Sequence, residues 1–210
     1  APATATLTVG STLALTVASA APADVGGLTV ALSPSGTGSV TLPATVVIPE
    51  SQSSATVTVT ATATGSVTIT ATAPIRLPAS SILTIVNPVP AVSAVSPFQV
   101  LARSGPFTLT VDGTGFVGAS SITIDGQALS TTVVNATRLT ALVPASVIAA
   151  EHVAQVVVVN PAPGGGLSAA VPVTIVNAPP ALTPIGNQTV ALGATVTVTV
   201  TAVDPNNDLI

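Results

Sequence analysis

Ten consecutive residues, Ala55–Thr64, alternate without a break between apolar side chains and threonine. Successive side chains of a β-strand point to opposite faces, so a period of two predicts a strand and not a helix. We expect Val57, Val59 and Ala61 to face a core and the threonines between them to face water, where a β-branched hydroxyl suits the pleat. The run ends at Gly65.

The same pattern recurs in short segments that are separated by Gly, Pro or Ser clusters. In the first half of the chain these predicted strands are Leu13–Val17, Leu28–Leu32, Thr45–Ile48, Ser66–Thr72 and Ile82–Val86. In the second half they are Phe107–Val111, Ser121–Ile124, Leu139–Val143, Val153–Val159 and Val171–Val176. Short alternating strands at this spacing predict an all-β chain of tandem immunoglobulin-like β-sandwiches.

An internal repeat sets the expected module boundaries. Thr84–Asn87 and Thr174–Asn177 are the same tetrapeptide, Thr-Ile-Val-Asn, and each is followed by a Pro-bearing link that should act as a semi-rigid spacer. We therefore expect one sandwich over 1–87, a second over 88–177 and the start of a third over 178–210. The third would hold strands at Gln188–Leu192 and Thr195–Ala202, completed either by further chain or by another molecule through β-augmentation.

Three resemblances to known families follow these boundaries. The second module contains Pro97, Gly105, Leu109–Phe116, Ile124–Gly126, Val143-Pro144 and Asn160–Gly166, and with these residues 90–177 resemble the IPT/TIG immunoglobulin-like family. The first contains Val30–Ser33, Pro43–Val46 and Gly65–Ala71, and with these residues 5–86 are similar to bacterial invasin-type Ig-like modules. Pro184–Val190 and Ala202–Asp208 make residues 184–208 similar to the opening of bacterial cadherin-like modules. Together they imply a large multi-module protein outside the cell, whose units serve as spacers, adhesive elements or fibre subunits.

Composition narrows the chemistry that is open to the chain. Charged residues make up only 5%, the net charge is −4, and there is one His and no Cys. We therefore expect no enzyme, because convergent reactive groups are scarce, and no cofactor, metal site or nucleic-acid partner. Thr, Ser or Pro interrupts every apolar run, so we expect no membrane insertion.

For a few residues both a functional and a structural interpretation are open. Glu151 and His152 are neighbours that would point to opposite faces of a strand, so they predict solvated residues and not a catalytic pair. Asp204, Asn206 and Asp208 have the oxygen ligands that Ca²⁺ takes, although a turn explains the same residues. Asn135 and Asn187 each begin an N-glycosylation tripeptide, which chance also produces in a Thr-rich chain.

The three phenylalanines all fall in the second module. Phe107 shares strand parity with Leu109 and Val111, which predicts a core position, and Phe116 is expected to cap that core. Phe98 lies near the linker, where packing between modules and ordinary burial are both open.

A surface of neutral hydroxyls with little charge gives weak repulsion between molecules, which favours association end to end or side by side, or with other cell-surface proteins. The sequence thus favours a non-catalytic structural array in an extracellular filament, surface layer or surface protein. The alternative is a set of spacer or binding modules of an adhesin or a secreted polysaccharide-active enzyme.

Overall fold

The computed structural model describes residues 4–177 and 179–204, and these residues divide into two compact units. The first unit comprises the chain up to Pro90 together with Asn160–Leu167. The second comprises Ala91–Val159 and the chain from Ser168 onward. Boundaries of the modules at residues 87 and 177 stay a prediction.

The first unit is a sandwich of eight strands. Its strands are β1 (Thr4–Thr8), β2 (Thr12–Ala18), β3 (Leu28–Gly36), β4 (Ser39–Thr41), β5 (Thr45–Ile48), β6 (Ser54–Ala63), β7 (Gly65–Thr72) and β8 (Ala79–Val86). One sheet has the order β1-β8-β7-β3-β5 and the other the order β2-β6-β4. Within the first sheet β1 runs parallel to β8, and the other neighbours are antiparallel.

The core of this sandwich forms where the inward faces of the two sheets meet. Val57, Val59 and Ala61 of β6 are buried, as their alternation predicts, and Thr56 and Thr58 on the same strand are exposed. The three buried residues pack with apolar residues of the facing sheet in one cluster. Burial of such side chains, at about 25 cal/mol for each Å² of apolar surface, is what stabilises a domain that lacks disulfides.

A second sandwich, of ten strands, follows along the chain. They are β9 (Ala91–Ser96), β10 (Gln99–Leu101), β11 (Phe107–Thr114), β12 (Ser121–Ile124), β13 (Gln127–Ala128), β14 (Thr131–Asn135), β15 (Arg138–Val143), β16 (His152–Asn160), β17 (Gly166–Leu167) and β18 (Val171–Val176). One sheet has the order β10-β18-β16-β12-β13, with β17 beside β16, and the other the order β14-β15-β11-β9. The chain is therefore a tandem of all-β, immunoglobulin-like sandwiches.

Two of the three phenylalanines take the positions expected for them. Phe116 is buried and Phe107 is half-buried against the core cluster of the second sandwich. The prediction for Phe98 is wrong, because its side chain is 71% exposed. It precedes the short edge strand β10 and lines a surface depression with Pro97 and Leu101, outside the core cluster.

Residues 179–204 correct the strand predictions for the third module. The structure has only β19 (Ala181–Leu182) and β20 (Ala202–Val203), which pair with each other. The predicted strands Gln188–Leu192 and Thr195–Ala202 are not formed as such, since only Ala202 lies in a ladder. Alternation marks which side chains can share a face, but a strand also needs a neighbour for its backbone N–H and C=O groups.

Candidate functional site

The single histidine of the chain lies beside an aspartate that is distant in sequence. Nε2 of His152 is 3.1 Å from Oδ2 of Asp125, and Nδ1 is 3.0 Å from the carbonyl oxygen of Ala150. Antiparallel pairing of β12 with β16 brings the two residues together across 27 positions of sequence. Glu151 lies just before β16 and forms no part of this pair.

The geometry around Asp125 favours a structural role for its carboxylate. Asp125 has a φ of +49° in the turn before Gly126, a conformation in which Asp and Asn are enriched. Its Oδ1 accepts the backbone N–H of Gln155 at 2.7 Å. Both ring nitrogens of His152 face oxygen acceptors, so both hydrogen bonds form together only when the imidazole carries two protons. The pair ties the hairpin to β16 at a surface where both side chains remain partly exposed.

Replacing Asp125 by alanine should lower the free energy of unfolding by about 1 kcal/mol, because Gln155 N–H and His152 lose their acceptor. The matched control is Asp125→Asn, which keeps an acceptor oxygen and tolerates the positive φ. Urea unfolding followed by far-ultraviolet circular dichroism measures both variants. Equal stability of the alanine variant and the unsubstituted chain would contradict the role assigned to this carboxylate.

A second pair joins β11 to β15. Nε of Arg138 donates to Oδ1 of Asp112 at 2.6 Å and Nη2 donates to Oδ2 at 3.0 Å, a two-pronged contact between residues that face each other in the ladder. The hydrogen bond from Arg138 lowers the pKa of the Asp112 carboxyl below its ordinary value, and the carboxylate in turn raises the pKa of Arg138. Both side chains are well solvated, so the pair orients these ends of the two inner strands more than it stabilises them.

The lowered pKa of Asp112 fixes the sign of a pH effect. Stability from the ionised carboxylate is fully present above the unfolded pKa of about 3.9 and is lost as the pH falls through the lower folded pKa. Arg138→Gln should therefore have a lower Tm than the unsubstituted chain near neutral pH, and the two should converge in acid. Arg76→Gln removes the same charge elsewhere and is the control. NMR titration of the Asp112 carboxyl gives the second reading, since its pKa should rise in Arg138→Gln.

The other candidate residues do not converge on a site. Among the described residues no group of three His, Asp or Glu side chains is close enough to hold a metal ion. Asn206 and Asp208 lie outside the described residues, so a calcium site with Asp204 stays a prediction. Asn135 is exposed and its Oδ1 accepts from both the N–H and the hydroxyl of Thr137. Asn187 is exposed as well, and glycosylation at either residue stays a prediction.

The sequence comparison identifies one of the two sandwiches. The family profile of the IPT/TIG domain matches residues 90–175. These residues form an IPT/TIG domain. It contains both surface pairs described above, and its Asp125-Gly126 turn is the hairpin on which the resemblance in the sequence partly rested.

The chain is also similar to solved structures of tandem sandwich proteins, at low identity. It shares 15% identity with the D0-D1 domains of intimin, covering 81% of this chain and 93% of that one at a TM-score of 0.31. With the adhesin InvE of Yersinia pseudotuberculosis it shares 14% identity, covering 83% and 57% at a TM-score of 0.38. With domains 5-6 of the S-layer protein SbsC it shares 15%, covering 81% and 91% at a TM-score of 0.28.

No curated protein sequence matches the chain significantly. Within the part of the chain that the structure describes, no helix has the length and hydropathy needed to cross a membrane. At the surface of the IPT/TIG domain, His152 pairs with Asp125 and Arg138 pairs with Asp112, and both pairs make contacts within the fold.

Proposed function

We propose that the chain is an array of non-catalytic structural modules in an extracellular filament or surface layer. The observation that carries the proposal is the division of each sandwich into an apolar, mostly aliphatic interior and a surface on which threonine and other neutral groups predominate. In β2 and β6, for example, buried Leu15, Val17, Val57 and Val59 alternate with exposed hydroxyl or small side chains. Such a surface holds water but provides little charge repulsion between neighbouring molecules.

The polar pairs of the IPT/TIG domain support this role and not a catalytic one. His152 is held by Asp125 and Ala150, and Arg138 is held by Asp112, so each polar side chain serves a contact within the fold. Reaction chemistry would instead need groups that converge on a substrate-sized cleft.

Electron microscopy and light scattering of the purified chain over a range of concentrations test the proposal. We expect elongated or layered assemblies whose mass rises with concentration. Dispersed monomers at high concentration would contradict a structural role in a filament or layer.

A second candidate function is a binding module of an adhesin or of a secreted polysaccharide-active enzyme, and Phe98 is the observation that favours it. Carbohydrate sites use exposed aromatic faces, and the side chain of Phe98 is 71% exposed beside Leu101. A glycan array separates the two candidates. Binding that is lost in Phe98→Ala would place this candidate first, and a blank array would remove it.

A further inference from the structure

The first sandwich has an open groove along one side. Strand β2 is the edge of its sheet, and in the facing sheet β1 pairs with β8 from Ile82 to Val86 and so does not reach Ala79 or Ser80. The interval between Leu15–Ala18 of β2 and Ala79–Ser81 of β8 is lined at its base by Leu32, Ile69 and Ala71. We call this interval the side groove.

The side groove runs along the buried core of the sandwich: Leu15, Val17, Leu32 and Ile69 are at most 8% exposed, whereas Ala18 and Ala79 at its rim are exposed. Two cavities of about 190 and 310 Å³ share Val17, Ala18, Ala71 and Ala79 in their linings, so they are continuous. Ala79 has the same strand parity as Leu83 and Ile85, which are completely buried, yet Ala79 is exposed. The inward-facing row of β8 therefore extends to Ala79, beyond the residues of β8 that pair with β1. Of the residues that line the two cavities, only Arg76 is charged.

Residues 195–201 have the alternating pattern of a strand, but in the described structure they belong to no β-sheet. Val196, Val198 and Val200 alternate with threonine and are 46%, 39% and 56% exposed. The ends of the segment 183–201 are joined by hydrogen bonds between Thr183 and Thr201, but its two arms stand apart around a space of about 280 Å³. The arm that holds the three valines thus presents an apolar row to solvent.

The segment and the side groove match in length and chemistry. At roughly 3.3 Å per residue the three alternating valines span about 13 Å, and the four residues of β2 that line the groove span about 10 Å. Placed beside β2, the segment would turn its valines toward Leu15, Val17 and Ile69 and its threonines toward water. Since Thr195–Ala202 carries no charge, insertion would bury no ionised group of that segment.

We propose that Thr195–Val200 of one molecule inserts into the side groove of a second copy as an added strand next to β2. Backbone hydrogen bonds along the free edge of β2 would supply affinity, and the valines in the groove would fix the register. Donor and acceptor belong to different compact units of the chain, so each copy can both give and receive a strand, and the contact propagates. The inference rests on the proposed structural function and names the contact that builds the assembly.

Engineered cysteines test the contact directly, because the natural chain has none. An Ala79→Cys chain is mixed under mild oxidation with a chain that carries Val196→Cys, Val198→Cys or Val200→Cys. We expect a mixed disulfide dimer with at least one of the three. Thr197→Cys and Thr199→Cys, on the opposite face of the same segment, and the exposed Val134→Cys of the IPT/TIG domain are matched controls that should lose the dimer.

A blocking variant gives a second reading. Ala79→Trp fills an exposed position of the groove, so the fold should persist by circular dichroism while assembly in light scattering is lost. Assemblies that form without the mixed disulfide and survive Ala79→Trp would overturn the groove contact but leave the structural function standing. Absence of both assemblies and disulfide would overturn both. A disulfide that forms only within a single chain carrying both cysteines would overturn the exchange between copies.

Discussion

Alanine in place of Gly113 should destabilise the IPT/TIG domain by about 2–3 kcal/mol or prevent its folding. Gly113 is buried in β11, and a Cβ atom there would collide with the carbonyl oxygen of Ala91 in β9 and lie 2.7 Å from Cζ of Phe116. One of these obstacles is backbone, so the methyl group fits only if β9 moves away from β11 or the Phe116 ring leaves its place in the core.

Gly118→Ala is the control for this effect, because nothing lies within 4 Å of the added Cβ and its backbone has no positive φ. It should stay within about 0.5 kcal/mol of the unsubstituted chain. Since the chain has no Trp or Tyr, unfolding is followed by far-ultraviolet circular dichroism in urea. An equal effect of the two substitutions would show that the close approach of β9 is not what requires glycine.

Leu139→Ala should cost about 2–5 kcal/mol of the free energy of unfolding. Leu139 is completely buried in β15, where it faces Val111 on one neighbouring strand and Val133 on the other. Truncation removes its dispersion contacts with the core cluster and leaves a cavity that two hydrogen-bonded neighbours prevent from closing.

The same strand provides a control three residues away. Leu142 has the opposite parity and is 59% exposed, so Leu142→Ala should change stability by no more than about 0.5 kcal/mol. Both variants are measured in the same urea titration, together with the slope of the transition. A similar loss in both would contradict the assignment of the two faces of β15.

Strands with regular alternation were predictable because one row of their side chains faces the core and the other faces water. Alternation gave β5, β12 and β18 with the bounds that the structure has, and it placed β6 and β15 to within a residue at each end. These strands pack one row of side chains against the facing sheet, so each burial pattern is written directly in the sequence.

Strand β9 shows why several edge strands could not be predicted in this way. Its half-buried residues Val92 and Val95 are three positions apart, not two. Val95 pairs with Val111, but Val92 pairs with Gly113, because the register shifts at a bulge between Asp112 and Gly113. A bulge inserts a residue and so breaks the period of two on which the prediction relies. The bulge is visible only once β11 is in place.

The pairing of His152 with Asp125 was missed for a similar reason. Alternation along one strand relates only residues that are close in sequence. The partner of His152 is set by the antiparallel register of β12 and β16. The Asp125-Gly126 hairpin was recognised in the sequence, but nothing there indicates which later strand will lie beside it. The sequence pattern does not indicate which distant strands pair or in which register.

The parallel pairing of β1 with β8 has a mechanical consequence. Thr4–Thr8 and Ile82–Val86 are the first and last strand segments of the first sandwich, and they run side by side in the same direction. Tension applied to the two ends of this sandwich therefore slides one strand along the other and strains the whole row of hydrogen bonds at once, instead of opening them one after another. The sandwich resists tension better in this arrangement, because the hydrogen bonds between β1 and β8 share the load.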